Sequence, residues 1–391
     1  MQVRPFGQVH WLGAGLSSVP GIRRLAMSEF PVTVWNRTLA KAQTALTDIS
    51  ADDAVARELD WARLASAIKP EDVVVSMLPA SMHLRAAELC LENNAHFVTS
   101  SYISEEMAAL DEPARAIGLC FVNECGLDPG LDHLLAHALL DSYRHSDIFD
   151  TENIIAFRSY CGGFPLHADD FAYKFSWSPL GVLKALVSPA RWIAKGEERS
   201  TGTPYREIET YLVSGERFEA FPNRDSLPFV RQYGIDADWE IEDFVRGTLR
   251  LNGWAKAWQD IFDTVENATG EAGKQRLAEL SEELWRQHQY AEGEADRVVL
   301  SVELGVKDKT GKQVWRRQYL LDSTGDERGS AMARLVSVPV SLVVEAILNG
   351  EVEAGVTPVP SDRGHVNRWI ELLRRSGENI VVKELLTEPA V

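Results

Sequence analysis

The chain lacks any CxxC pair: its four cysteines, Cys90, Cys120, Cys125 and Cys161, are scattered through apolar or loop surroundings. Nothing in that spacing suggests a disulfide framework or a paired-thiol centre, and the thiols are expected to be reduced. Positive charge is in deficit. Against 58 acidic residues stand 40 lysines and arginines, a formal net charge of −18 at pH 7. This balance argues against a nucleic-acid backbone or an anionic membrane as a partner. Long uninterrupted apolar runs are also missing, so neither a signal peptide nor a clean membrane span is expected, and a cytoplasmic location follows as the expectation. Even the stretch Ala331 to Leu348 is broken by Arg334 and Glu345, and it carries Pro339, where a kink is expected. There are no internal repeats and no low-complexity tracts.

At 391 residues the chain is long enough for two domains. Its first half alternates strand-like and helix-like segments. Gln8 to Leu12 reads as a short strand, followed directly by Gly13-Ala14-Gly15-Leu16-Ser17-Ser18. This GxGxxS run differs by one residue from the dinucleotide-binding fingerprint. Gly13 permits the tight turn and Gly15 lets a pyrophosphate approach the backbone, while Ser18 stands where a third glycine serves close helix–strand packing, a role a small residue can fill. A helix is expected from Pro20 to about Glu29, then a second strand from Pro31 to Trp35. At its tip, Asn36-Arg37-Thr38 contains no acid for a ribose 2′-hydroxyl. Arg37 and Thr38 suit a 2′-phosphate instead, which favours NADP(H) over NAD(H).

Helices at Lys41 to Ile49, Trp61 to Ile68, Ser81 to Asn93 and near Glu105 to Ile117 alternate with strands at Asp72 to Leu78, His96 to Thr99 and Leu119 to Val122. Such alternation makes a doubly wound parallel sheet of the α/β class, whose strand ends at Leu78, Ser100-Ser101-Tyr102 and Leu127-Asp128 line one edge. The segment Asn123-Glu124-Cys125-Gly126-Leu127-Asp128-Pro129-Gly130-Leu131-Asp132-His133 then reads as strand end, tight loop and helix start. Leu131, Leu134, Leu135, Ala138 and Leu139 share one helix face, with Asp128 as the expected cap and Pro129 in the first turn. His133 and His137, at i and i+4 on the opposite face, have metal-ligand spacing but no third ligand nearby, so no metal is expected. After about Asp150 the pattern changes. Strand-like segments at Ile154 to Tyr160, Tyr205 to Val213, Phe244 to Leu251, Val298 to Val306 and Val314 to Leu321 point to a second, α+β domain with a mainly antiparallel sheet, with Cys161 to Pro165 as a loop and Arg276 to Gln289 as a charged helix.

Several of these motifs together resemble the saccharopine dehydrogenases of the glutamate-forming type. The segment from Asn123 to His133 resembles their NExGLDPGxDH stretch. Ser159-Tyr160-Cys161-Gly162-Gly163 with Tyr173-Lys174-Phe175-Ser176-Trp177-Ser178 resembles SYCGG…YKFSWS. Phe221-Pro222-Asn223-Arg224-Asp225-Ser226 resembles YPNRDS, and Arg246-Gly247-Thr248-Leu249-Arg250 resembles RGTLR. Ser330 to Ala333, with Gly350 to Gly355, resembles the family's closing segment. The similarity runs over nearly the whole chain.

The resemblance implies a Rossmann NADP-binding domain at 1–140, an inserted α+β substrate-binding and dimerisation domain at 141–328, and a C-terminal segment at 329–391 that packs back on the first domain. It implies a homodimer acting on a small amino-acid substrate. The implied reaction interconverts saccharopine with 2-aminoadipate 6-semialdehyde and L-glutamate, using a nicotinamide. Cofactor contacts are implied at Gly13, Gly15, Leu16, Ser17, Asn36, Arg37, Thr38, Leu78, Ser100, Leu127, Asp128 and Trp177. Substrate contacts are implied at Ser101, Tyr102, Asp128, Arg224, Thr248, Leu249 and Arg250. The chain departs from the family pattern at Phe164 to Ala172, which is shorter than the usual stretch and differently charged, and again at Trp258 to Gln289.

Saccharopine carries three carboxylates and two amines, so its site needs fixed cations, and Arg224 and Arg250 are the candidates because a guanidinium meets a carboxylate bidentately. Oxidising the secondary amine gives an imine that water hydrolyses. Asp128, Tyr102 and Lys174 are the groups placed to orient the amine and move its proton. His133 is a further proton-transfer candidate, and Cys161 is read as lining. Two other classes stay open: an imine reductase or amine dehydrogenase for a carboxyalkyl polyamine or lysine, and a nicotinamide-binding sensor without turnover.

Overall fold

The computed structural model describes residues 7–49 and 53–386. The chain separates into two units, Met1–Leu134 with Glu327–His365, and Leu135–Asp326 with Val366–Val391. The first boundary falls inside the helix Leu131–Arg144.

The first unit is built on β1 (Val9–Leu12), β2 (Val32–Asn36), β3 (Ala54–Glu58), β4 (Val73–Ser76), β5 (His96–Val98) and β6 (Cys120–Val122), joined by a late strand, Gly355–Thr357. The sheet order is Gly355–Thr357, β6, β5, β4, β1, β2, β3, and every pairing is parallel. β1 and β4 are buried along their whole length. That is what a sheet covered by helices on both faces demands, and it explains why they read as continuous apolar runs. β3 escaped the sequence reading because it is an edge strand with mostly exposed or half-exposed side chains. Chain order reverses between β1 and β4, so their C-terminal ends form the switch-point crevice where open α/β sheets bind ligands.

The helix Val19–Ala26 packs against the helix Ala331–Leu348. A Cβ on Gly21 would lie 2.3 Å from the Ser337 carbonyl oxygen, and the Gly21 N–H donates to Ser337 Oγ at 2.9 Å. Gly21 thus lets these two helices approach closely, while Ser18, at the fingerprint's third position, is buried. Ala331–Leu348 is helical straight through Pro339 and is long and apolar enough to cross a membrane, but 72% of it is buried inside the protein as a core helix.

The second unit carries β7 (Ile154–Pro165), β8 (Ala190–Ala194), β9 (Glu197–Thr201), β10 (Glu209–Val213), β11 (Glu216–Pro222), β12 (Glu240–Leu251), β13 (Asp296–Lys307) and β14 (Gln313–Thr324), with a last strand, Ile380–Glu384. Its sheet order is β10, β11, β12, β7, β13, β14, Ile380–Glu384, with β8 and β9 branching from β12. All pairings are antiparallel except β7 with β12. Two expectations change here. Cys161 to Pro165 is strand, not loop, because β13 pairs with all five of these residues, and β12 with Cys161. Gly162 and Gly163 lie near its C-terminal end, and a Cβ on Gly162 would come within 2.5 Å of the Leu249 carbonyl. The closing segment also does not act as one piece. Residues 327–365 join the first unit. The helix Arg363–Arg375 instead buries Val366, Trp369, Ile370 and Leu373 at helical spacing, and the strand after it pairs with β14.

Candidate active site

The glycine loop leaves β1 at Gly13, whose φ of +98° suits a residue without a Cβ. An added Cβ there would meet the Met77 carbonyl at 2.7 Å. Gly15 is the opposite case: nothing lies within 4 Å of where its Cβ would be. A bare backbone facing open space at the start of a helix is what a pyrophosphate needs. Leu16 is exposed and Ser17 half-buried beside it. Asn36 at the end of β2 clips the loop, its Oδ1 accepting from the Ala14 N–H at 3.0 Å. Arg37 and Thr38 follow it, both exposed and with no acid among the three. These residues fit a nicotinamide dinucleotide with a 2′-phosphate.

Across the switch point, β4 ends at Ser76 and leads to half-buried Met77 and Leu78, and β5 leads to Ser100, Ser101 and Tyr102. Ser100 Cβ lies 2.9 Å from where a Cβ on Gly126 would be, so that glycine lets the two loops close. The segment after β6 folds back on itself: the Gly126 N–H donates to the Pro129 carbonyl and the Leu131 N–H to the Gly126 carbonyl, both at 2.9 Å. The Asp128–Pro129 peptide is cis. The helix starts at Leu131, so Asp128 is not its cap and Pro129 is not in its first turn; Asp132 Oδ1 takes the Gly130 N–H at 2.7 Å instead. Asp128 is turned to a different partner, the Tyr102 hydroxyl, which donates to its Oδ1 at 3.3 Å. Leu127 is buried beside it.

Beneath this loop, His133 lies between two buried carboxylates, 3.3 Å from Glu124 Oε2 and 3.4 Å from Asp132 Oδ2. Glu124 Oε1 also accepts from the Ile103 N–H, next to Tyr102. The cluster ties the loop carrying Tyr102 to the loop carrying Asp128. His137, one turn on, sets its ring edge against Tyr233 at 5.4 Å.

In the second unit, Arg250 is 8% exposed. Its guanidinium stands 4.9 Å from the Tyr173 ring, 5.3 Å from Trp254 and 5.8 Å from Phe221, and donates to the Leu249 carbonyl at 2.9 Å. No carboxylate among the described residues pairs with it, its Nε has no partner, and burial pulls its pKa down from the usual arginine value. Thr248 alternates with Arg250 on the same face of β12. Leu249 faces the other way, into an apolar cluster with Tyr160, Phe164 and Val245, so only its backbone is available to a ligand. Arg224 is exposed in a left-handed turn, φ +58°, its carbonyl accepting from the Arg191 N–H. Cys161 is buried in β7. Trp177 is 39% exposed with its ring over Gly181.

Lys174 stands differently from the sequence expectation. Its Nζ is 2.7 Å from both carboxylate oxygens of Glu294, and that bond holds the Glu294 carboxyl below its ordinary pKa. Sequence reasoning also passed over His83, which is buried and bridges Ser76 and Ser101. No local pattern marks it, since its partners come from two other segments.

Known proteins match this geometry over nearly all of its length. Residues 9–122 match the family model described as the saccharopine dehydrogenase NADP binding domain, and residues 126–378 match the saccharopine dehydrogenase C-terminal domain. The chain is 30% identical to the saccharopine dehydrogenase [NADP(+), L-glutamate-forming] of Pyricularia oryzae, over 90% of this chain and 91% of that protein. It is 27% identical to the protein of the same name from Schizosaccharomyces pombe, over 94% and 96%. The solved apo structure of saccharopine dehydrogenase (L-Glu forming) from Saccharomyces cerevisiae superposes with a TM-score of 0.78 at 26% identity, covering 97% of this chain and all of that one. Two family domains in sequence, and relatives matched over nine-tenths or more of both chains, put this chain in the saccharopine dehydrogenase family.

Proposed function

We propose that the protein is an NADP(H)-dependent oxidoreductase of lysine metabolism that interconverts saccharopine and water with 2-aminoadipate 6-semialdehyde and L-glutamate. The family match and the curated relatives support the reaction and the cofactor. The observation that carries the substrate class is Arg250. A buried guanidinium walled by aromatic rings, with no carboxylate partner among the described residues, is expensive to keep unless a ligand brings the anion. Saccharopine brings three.

The cofactor, when bound, accepts or returns the hydride. Everything else falls to the chain. Gly13, Gly15, Leu16 and Ser17 take the pyrophosphate, Arg37 and Thr38 the 2′-phosphate, with Asn36 holding their loop in place. Leu78, Ser100 and Leu127 line the cofactor side, with Trp177 assigned to it from the family. Arg250 and Arg224 take substrate carboxylates, supported by Thr248, Ser101 and the Leu249 backbone. The Tyr102–Asp128 pair acts at the nitrogen: the carboxylate accepts the proton that the secondary amine sheds as its carbon loses hydride, and the phenol stabilises that carboxylate. Water then adds to the C=N bond, and the C–N bond breaks to release glutamate. Lys174 is assigned no proton transfer, because Glu294 holds it. A homodimer and a cytoplasmic location complete the reading. Light scattering should give twice the chain mass.

The test is nicotinamide absorbance with saccharopine and NADP⁺ or NAD⁺, and in reverse with semialdehyde, glutamate and reduced cofactor. Turnover that needs glutamate in reverse and prefers NADP⁺ is the expected result. Tight NADPH binding without turnover would turn the search to other secondary amines and to the altered segment at residues 164–172.

A further inference from the structure

Ser76 closes β4 and is fully buried. Its hydroxyl lies 2.8 Å from Nδ1 of His83, the first residue of the helix His83–Glu92, and Nε2 of the same ring lies 2.9 Å from Oγ of Ser101. The backbone carbonyl of Ser76 is taken separately by the Thr99 hydroxyl at 2.9 Å. These three side chains form a chain running from the sheet interior to the strand edge.

The protons in this chain can be placed by counting donors. The Ser76 hydroxyl has one hydrogen, and Nδ1 of His83 is the acceptor it meets among the described residues. Leaving a buried hydroxyl undonated is unfavourable. Burial also keeps the ring neutral, pushing its pKa from 6.5 down to about 4. A neutral imidazole that accepts at Nδ1 carries its hydrogen on Nε2. That hydrogen is donated to Ser101 Oγ, so the hydrogen of Ser101 itself is left to point elsewhere. In the opposite arrangement Ser101 would give its hydrogen to the ring and show a ligand only lone pairs, which suit an ammonium, and Ser76 would be stranded.

We propose that Ser76–His83–Ser101 is a one-way hydrogen-bond relay that presets Ser101 as a donor to an acceptor oxygen of the substrate, a carboxylate of saccharopine. His83 is a positioning residue, acting through Ser101. The inference rests on the reading of Ser101 as a substrate contact.

The experiment measures kcat and KM for saccharopine and NADP⁺ in the wild type, Ser101→Ala, His83→Phe, His83→Gln, Ser76→Ala and the double variant Ser101→Ala/His83→Phe. Losing a hydrogen bond to a charged oxygen should raise the saccharopine KM about tenfold or more in Ser101→Ala and His83→Phe, with the NADP⁺ KM held within about twofold. His83→Gln keeps an N–H for Ser101 and should recover most of the loss. Ser76→Ala frees the ring to change tautomer and should raise the saccharopine KM about threefold. The double variant should be no worse than Ser101→Ala alone. Unchanged saccharopine KM values, equal rises for both substrates, or multiplying effects in the double variant would overturn the relay. If His83→Phe does not fold, His83→Gln and Ser76→Ala decide, since a purely structural role moves neither KM selectively. A wild type that binds NADPH yet leaves saccharopine untouched would instead overturn the underlying reading, and the relay with it.

Discussion

Arg250 sits among Tyr173, Phe221 and Trp254 with its guanidinium bonded to one backbone carbonyl. A group kept for folding would have been given a carboxylate. Arg250→Met keeps the length of the stem and removes an uncompensated buried charge, so the melting temperature should hold or rise, while kcat/KM for saccharopine falls about a hundredfold or more. A large drop in melting temperature with kinetics intact would make Arg250 a structural residue. His83 gives a second expectation, in pH. Its folded pKa is about 4 against 6.5 for an ordinary histidine. Between those values the unfolded chain binds a proton that the folded chain does not. The stability from a neutral His83 is therefore complete above pH 6.5 and is lost as pH falls toward 4, by about 1.4 kcal/mol for each unit. Unfolding free energies from urea titrations at pH 7.5 and 5.5 should differ more in the wild type than in His83→Gln, by about 1 kcal/mol. Equal acid losses in the two proteins would mean His83 titrates normally.

The run from β1 through the glycine loop into Val19–Ala26 shows how glycines that look alike in sequence do different work. Gly15 faces open space and has no positive φ, whereas Gly21 is pressed on Ser337. Gly15→Ala should leave the melting temperature unchanged or slightly raised, since it removes unfolded-state freedom at no steric cost, and should weaken NADPH binding because its Cβ occupies the phosphate approach. Gly21→Ala should destabilise by about 1–3 kcal/mol by forcing the two helices apart. Calorimetry with NADPH titration separates the two, and the reverse pattern would exchange their roles. The fingerprint gave Ser18 the helix–strand position and passed over Gly21, because a count of residues cannot see where the partner helix lies. The same limit applies to β7. Its glycine pair reads as a loop until β13 is found paired along it.

For the molecule as a whole, two units divide the chain, and the cofactor loop belongs to Met1–Leu134 with Glu327–His365. NADPH at about a hundred times its Kd should add roughly 2.7 kcal/mol to whatever unfolds with that unit. A calorimetric scan should therefore show the cofactor shifting that unit's transition upward. A shift confined to a different transition would place nucleotide binding elsewhere.

What the sequence settled alone were features written in local periods and single residue types: the strand–helix alternation of the first half, the glycine loop between β1 and its helix, and the absence of an acid at Asn36-Arg37-Thr38. These need only neighbours a few residues away. Tertiary structure decided what depends on partners far along the chain. It bonded Gly21 to Ser337 across 316 residues. It gave Lys174 to Glu294 and walled Arg250 with aromatic rings, with no carboxylate on it among the described residues. It sent residues 327–365 to one unit and the last strand to the sheet of the other. Burial and pairing set the charge and reactivity of each side chain, and those come into being only when distant segments meet.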